Sequence, residues 1–151
     1  MDKNIYRKYI QILNEELVPA MGCTEPIAIA YGAAKAREVL GCFPEKVIVK
    51  CSGNIIKNAR CVTVPNTGDL VGIEASAIIG ILAGKANKKL EVINEVSDED
   101  IKKAHELANS DFCIVEFLDS DIELHIIVEA YNKEESAKVE IKYAHDNIPT
   151  P

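Results

Sequence analysis

Apolar and polar positions along this chain follow two periods. Tyr6, Tyr9, Ile10, Leu13 and Leu17 recur at helical intervals, which predicts a surface helix with one buried face, closed by Val18-Pro19. From Ile27 to Leu40 the residues Ala28, Ala30, Gly32, Ala33, Ala34 and Ala36 predict a second helix that another backbone can approach closely, with Gly41 as its left-handed stop. Val47-Ile48-Val49 predicts a strand running through Cys51 into a polar turn at Ser52-Gly53-Asn54, and Arg60 to Val64 predicts another, ending at Pro65-Asn66-Thr67-Gly68. A third helix, Val71 to Ala83, mixes Gly72, Ala75, Ser76, Ala77 and Gly80 with isoleucines and leucine, so it is apolar on most sides and should be buried. Its two glycines cost roughly 1 kcal/mol each relative to alanine, and close contact with a neighbour should compensate. Ser97 with Asp100 resembles a capping box opening a fourth helix to about Asn109. Phe112 to Leu118, Ile122 to Ala130 and Ser136 to Tyr143 read as three strands, the last two joined by Asn132-Lys133-Glu134-Glu135 in an antiparallel meander.

This order lacks the regular strand-helix alternation of a doubly wound fold. It predicts an α+β class, a two-layer domain with Ala/Gly-rich packed helices and a mainly antiparallel sheet. With 151 residues, no internal repeat and no long linker, one domain covering residues 1–151 is expected. Seventeen basic against twenty-four acidic residues give a net charge of -7, which argues against binding nucleic acid or an anionic membrane surface. Met1 to Arg7 shows no basic-then-apolar leader, and Asp69 and Glu74 interrupt the most apolar stretch, so a cytoplasmic protein is expected. The five cysteines, at 23, 42, 51, 61 and 113, are odd in number and form no Cys-x-x-Cys pair, which speaks against a disulfide framework and a self-contained zinc site.

Candidate chemistry starts at Met21-Gly22-Cys23-Thr24-Glu25-Pro26. Thr24 can cap the second helix, and Cys23 then lies beside the unpaired N–H groups and the positive end of its dipole, where a thiolate is stabilised. The plainer reading is a buried cysteine at a loop-to-helix junction. Ser52, Asn54, Lys57 and Asn58 place a hydroxyl, two amides and an ammonium around one turn, a set that suits a carboxylate and equally suits a hairpin turn. Thr67 and its neighbours could cradle an anion at the start of the third helix. His105 sits on a solvated helix and His125 on the polar side of a strand, so both read as surface residues. His145, beside Asp146 and Asn147, follows the last strand, where loops commonly present functional side chains.

Gly22-Cys23-Thr24-Glu25-Pro26-Ile27-Ala28, Ser52-Gly53-Asn54-Ile55-Ile56-Lys57-Asn58 and Val64-Pro65-Asn66-Thr67-Gly68 resemble the N-terminal part of the L-cysteine desulfidase and L-serine dehydratase alpha-chain-like family. Tyr143-Ala144-His145-Asp146-Asn147-Ile148 resembles that family's His-Thr-Asn-Ile element, with Asp146 in place of threonine. The resemblance implies an iron-sulfur lyase that eliminates the β-substituent of L-cysteine or L-serine, giving sulfide or water, ammonia and pyruvate. It implies Cys23 as proton acceptor and Ser52, Asn54, Lys57, Asn58, Thr67, His145 and Asn147 as substrate-binding residues. The cysteines that hold the 4Fe-4S cluster in the complete family enzyme lie beyond the matching region. No metal or cluster is therefore expected on this chain alone, and a second polypeptide carrying those cysteines is implied. A truncated chain of this kind would also self-associate through uncovered surface. The alternative is a stand-alone domain that binds a small molecule or a protein partner without catalysis.

Overall fold

The computed structural model describes residues 7–13, 24–87, 92–122 and 124–143. Its elements are β1 (Arg7–Leu13), α1 (Thr24–Leu40), β2 (Lys46–Ser52), α2 (Gly53–Ala59), α3 (Ile73–Ala83), α4 (Asp98–Ala108), β3 (Cys113–Leu118), β4 (Leu124–Tyr131) and β5 (Glu135–Tyr143). The strands form one sheet in the order β1-β5-β4-β2-β3. The pairs β1 with β5 and β2 with β3 are parallel, whereas β4 is antiparallel to both β2 and β5. The class is α+β, and the sheet is mixed, with β4 alone opposing the direction of the other four strands.

Helices line one face of the sheet. Val47, Val49 and Cys51 of β2, Ile126, Val128 and Ala130 of β4, and Ala137, Val139 and Ile141 of β5 are buried at alternate positions, as a half-covered sheet requires. Against them lies α1, whose Gly32 leaves room for Val128 and Ile141. α3 packs beside α1 at unusually short range. A Cβ built on Gly80 would collide with the carbonyl of Ala30 and lie 2.8 Å from its Cα, and one on Gly84 would lie 2.7 Å from the Ala34 Cβ. Both contacts step four residues along each helix, so α1 and α3 run parallel, with their starts side by side. Arg37 adds a cross-link, donating from Nη1 to the Ile81 carbonyl at 2.5 Å while its guanidinium stands 5.2 Å from the centre of the Phe43 ring.

Four local readings are corrected here. The predicted first helix is the strand β1 over residues 7–13, and its Val18-Pro19 end lies outside the described residues. The parallel pairing with β5 accounts for this, because it covers an edge that would otherwise be left open. The supposed turn after Ser52 is the helix α2, whose Ile55 and Ala59 fall on one buried face at a spacing of four. The strand expected over residues 60–64 is reduced to one isolated bridge, Thr63 with Val71, since α2 and the turn that follows leave only a narrow hairpin. The last two strands, β4 and β5, do pair antiparallel as expected, while β3 lies beside β2, in parallel. The helix assigned from Ile27 already begins at Thr24, so Thr24 is its first residue rather than its cap. By contrast the capping box of α4 forms, with Asp100 N donating to Ser97 Oγ at 3.0 Å and Ser97 N to Asp100 Oδ2 at 3.1 Å.

The other face of the sheet carries paired charge. Glu129 accepts from the Tyr131 hydroxyl at 2.7 Å and lies 3.2 Å from Lys50 Nζ and 3.7 Å from Lys138 Nζ. Burial pushes its carboxyl up, but hydrogen bonds from Tyr131 and Lys50 and the two lysine charges outweigh this, and its pKa is lowered. Burial first, then the hydrogen bond to Glu129 and the charges of Glu129 and Glu116, push the Tyr131 phenol up to about 12.

Three substitutions test this packing and charge pairing. Gly80→Ala should lose about 1–3 kcal/mol in urea unfolding despite alanine's better helix propensity, because the new methyl meets backbone. Gly32→Ala should cost less, since it meets only the side-chain ends of Val128 and Ile141, at 3.1 and 3.2 Å. Glu129→Gln should cost about 1–2 kcal/mol near neutral pH, a charged-acceptor hydrogen bond discounted for the partly exposed lysines. A lowered folded-state pKa contributes stability above the unfolded value of about 4.3 that is lost as pH falls through the folded value, so the gap between variant and parent should close in acid.

Candidate functional site

Chain direction brings Ser52 and the start of α1 to one end of the sheet. Strands β1, β5, β2 and β3 all finish at this end, where β4 begins: Cys51 pairs with Ile126, Leu124 with Tyr143, Ser52 with Leu118 and Leu13 with Ile141. α1 returns to the start of β2 through residues 41–45, so its own start, Thr24, lies back at the carboxyl end of β2. α3 is parallel to α1 and therefore also starts here. Thus the residue after Cys23, Ser52 itself, and Tyr143, two residues ahead of His145, share one rim, whereas the Thr67 turn is tied through Asn66 to Ile93. Cys23, His145 and Asn147 lie outside the described residues. Ligands of open sheets containing parallel strands commonly bind beyond the strands' carboxyl ends.

Ser52 is the last residue of β2 and is fully buried. Its Oγ has no hydrogen-bond partner and does not cap α2, although the residue stands at the N-cap position. An unpaired buried hydroxyl costs about 1–3 kcal/mol, so this atom calls for an explanation in function. Asn54, Lys57 and Asn58 do share one side of α2, but it is the exposed side, turned away from the buried Ile55 and Ala59. Thr67 is buried, and its Oγ1 donates to the Val64 carbonyl at 2.7 Å. Around it the turn is fixed by Asn66 and Gly68 at φ of 67° and 79°, and by the Asn66 amide donating to the Ile93 carbonyl at 3.1 Å. Gly72, at φ 104°, then turns the chain into α3.

The other cysteines are of two kinds. Cys51 and Cys113 are buried under the helices, where burial, with the Glu74 charge adding to it, pushes each thiol up to about 12. They stay protonated and inert. Cys42 and Cys61 are exposed, and the Cys42 sulfur accepts from the Asn132 amide at 3.1 Å. Among the described residues no group of three or more His, Cys, Asp or Glu side chains could hold a metal ion. A 4Fe-4S cluster does not fit the described residues. A cavity of about 430 Å³ lies at the opposite end of the helices, lined by Arg37, Cys42, Gly84 and Lys85 among others, and none of the predicted residues lines it.

One cluster escaped the sequence reading. His125, which alternation along its strand places on the polar side, is 9% exposed, with Nδ1 at 2.8 Å from Ser120 Oγ and Nε2 at 2.5 Å from Glu140 Oε2. The signal was present in the β4–β5 hairpin: its register sets His125 opposite Lys142 and Ile127 opposite Glu140, one diagonal step away. His105 pairs with Asp69 at 3.3 Å on the surface, as its helix position suggested.

No helix among the described residues is long and apolar enough to cross a membrane. No family model matches the chain, and no solved structure matches it. Curated relatives do. The chain is 53% identical over 144 residues to a UPF0597 protein of Lachnoclostridium phytofermentans, covering 95% of this chain and 34% of that protein. It is 47% identical over 148 residues to a UPF0597 protein of Treponema denticola, covering 98% and 34%, and 48% identical over 144 residues to one of Finegoldia magna, covering 94% and 34%. The chain thus spans about a third of the length of the curated relatives it matches. These names correct the resemblance to the L-cysteine desulfidase and L-serine dehydratase alpha-chain-like family: over nearly its whole length, this chain is similar to the UPF0597 proteins, a family distinct from it.

Proposed function

We propose that the carboxyl rim of the sheet binds a small L-amino acid and that Cys23 is the proton acceptor there in a β-elimination, from L-cysteine to sulfide, ammonia and pyruvate or from L-serine to ammonia and pyruvate. The observation that carries this reading is the buried, unpaired Ser52 Oγ at the rim that the start of α1 and the end of β5 share. Ser52 Oγ, buried and unpaired, is a hydroxyl held ready for an acceptor such as the substrate carboxylate. The aligned starts of α1 and α3 add two positive dipole ends for the same anion and for a thiolate at Cys23. In an elimination that thiolate removes the α-proton, while departure of the β-substituent belongs to groups other than those described. Binding without turnover is the non-catalytic alternative.

Two measurements test the reading. Saturating L-serine or L-cysteine, at about 100 times the Kd, should stabilise the chain by about 2.7 kcal/mol, and cysteamine, which lacks the carboxylate, should not. Ser52→Ala should abolish that shift while leaving the free protein as stable as before or more so, because an unpaired hydroxyl is removed. A variant that keeps the full shift removes Ser52 from the site. Alkylation of Cys23, followed by peptide mapping, should show a midpoint below about 8.5 and protection by L-serine. A midpoint at or above that value leaves Cys23 without its assigned role, and amino-acid binding that persists then favours the non-catalytic alternative.

A further inference from the structure

Ser120, His125 and Glu140 stand in a chain of hydrogen bonds that none of the amino-acid chemistry uses. We infer that Ser120 is a nucleophile activated by His125 and Glu140, and that this end of the outer sheet face takes small acyl esters or thioesters.

The tautomer follows from the partners. Glu140, as a carboxylate, can only accept, so the imidazole N–H is on Nε2, 2.5 Å from Glu140 Oε2. Nδ1 then presents its lone pair to Ser120 Oγ at 2.8 Å. The same Oγ accepts the Ile122 backbone N–H at 3.2 Å, which turns the hydroxyl proton toward the imidazole. Lys142 Nζ, 3.8 Å from Glu140 Oε2, sets a cation on the far side of the carboxylate. The burial pattern suits the roles: His125 is shielded, whereas Ser120, in the connection between β3 and β4, is partly exposed and within reach of a substrate. The order nucleophile, base and orienting carboxylate is that of a serine hydrolase, with the two imidazole nitrogens exchanged.

In the reaction Ser120 Oγ bonds to the acyl carbon as its proton moves to His125 Nδ1, and the resulting imidazolium is held through Nε2–H by Glu140. The alcohol or thiol leaves with the proton from Nδ1, giving an acyl-serine. Water then adds to the acyl carbon, losing a proton to Nδ1, and release of the acid returns that proton to Ser120. No oxidant or cofactor enters.

The test uses the full chain with a fluorophosphonate probe and p-nitrophenyl acetate. One equivalent of phosphonate should map to the peptide containing Ser120, with a matching burst of p-nitrophenol. Ser120→Ala should lose the label, while Ser110→Ala, which removes a hydroxyl elsewhere on the surface, should keep it. Glu140→Gln should slow labelling about 10²-fold or more with the fold intact by circular dichroism, the scale of a general base set in the wrong state. Labelling that is absent, that survives in Ser120→Ala, or that runs at the parental rate in Glu140→Gln overturns the assignment.

Discussion

The contact on which the structure depends is the one between the backbones of α1 and α3. At Ala30 and Gly80 no side chain separates the two helices, and at Ala34 and Gly84 the separation is a single methyl. Such an approach fixes three things at once: the parallel direction of the helices, their alignment along their axes, and the level at which both begin. Dispersion between close backbones is weak per atom pair and depends steeply on distance, so one additional methylene at the crossing would forfeit much of it. That sensitivity is why alanine, normally the better helix former, is the wrong residue at Gly80. Arg37 completes the arrangement by using its guanidinium on the Ile81 carbonyl near the end of α3, where a cation also suits the dipole.

Aligned helix starts acquire meaning from the sheet beneath them. Because four strands run the same way, their carboxyl ends share one rim. The short helix α2 is what the chain leaving β2 becomes there, before the Thr63–Val71 bridge and the left-handed residues of the Thr67 turn lead it on to α3. Residues far apart in the chain are thereby gathered without any of them touching in sequence.

Legibility in the sequence followed the range of the forces involved. The capping box of α4 depends on Ser97 and Asp100 alone, and Gly41 at φ 87° ends α1 by a local rule, so both could be read directly. The glycines of α3 announced a close neighbour without naming it. β1 and α2 were misread because their states are settled by partners: an open edge of β5 for the first, and the sheet end that buries Ile55 and Ala59 for the second. At the site, Ser52 was readable as a candidate but not as an orphan, since a missing partner is a property of the fold. His125 was passed over because period-two alternation puts it on the polar face. That face is polar yet covered, by the Glu129, Lys50 and Lys138 group and by the hairpin's own long side chains.

Reactive groups need two conditions that usually exclude each other, desolvation to shift their chemistry and access to meet a substrate. The helix face of the sheet satisfies only the first: Cys51 and Cys113 are buried there so completely that their thiols are pushed up to about 12 and cannot serve as nucleophiles. The centre of the outer face also satisfies only the first, because Glu129 is buried, with its charge compensated by its own lysines and its oxygen hydrogen-bonded to Tyr131. Toward the carboxyl rim the two conditions overlap. Ser52 is buried beside chain that turns outward, and Ser120 is reachable while the histidine behind it is not. The packing of α1 on α3 therefore does more than stabilise the domain, because by setting where both helices begin it also sets the edge along which burial gives way to solvent.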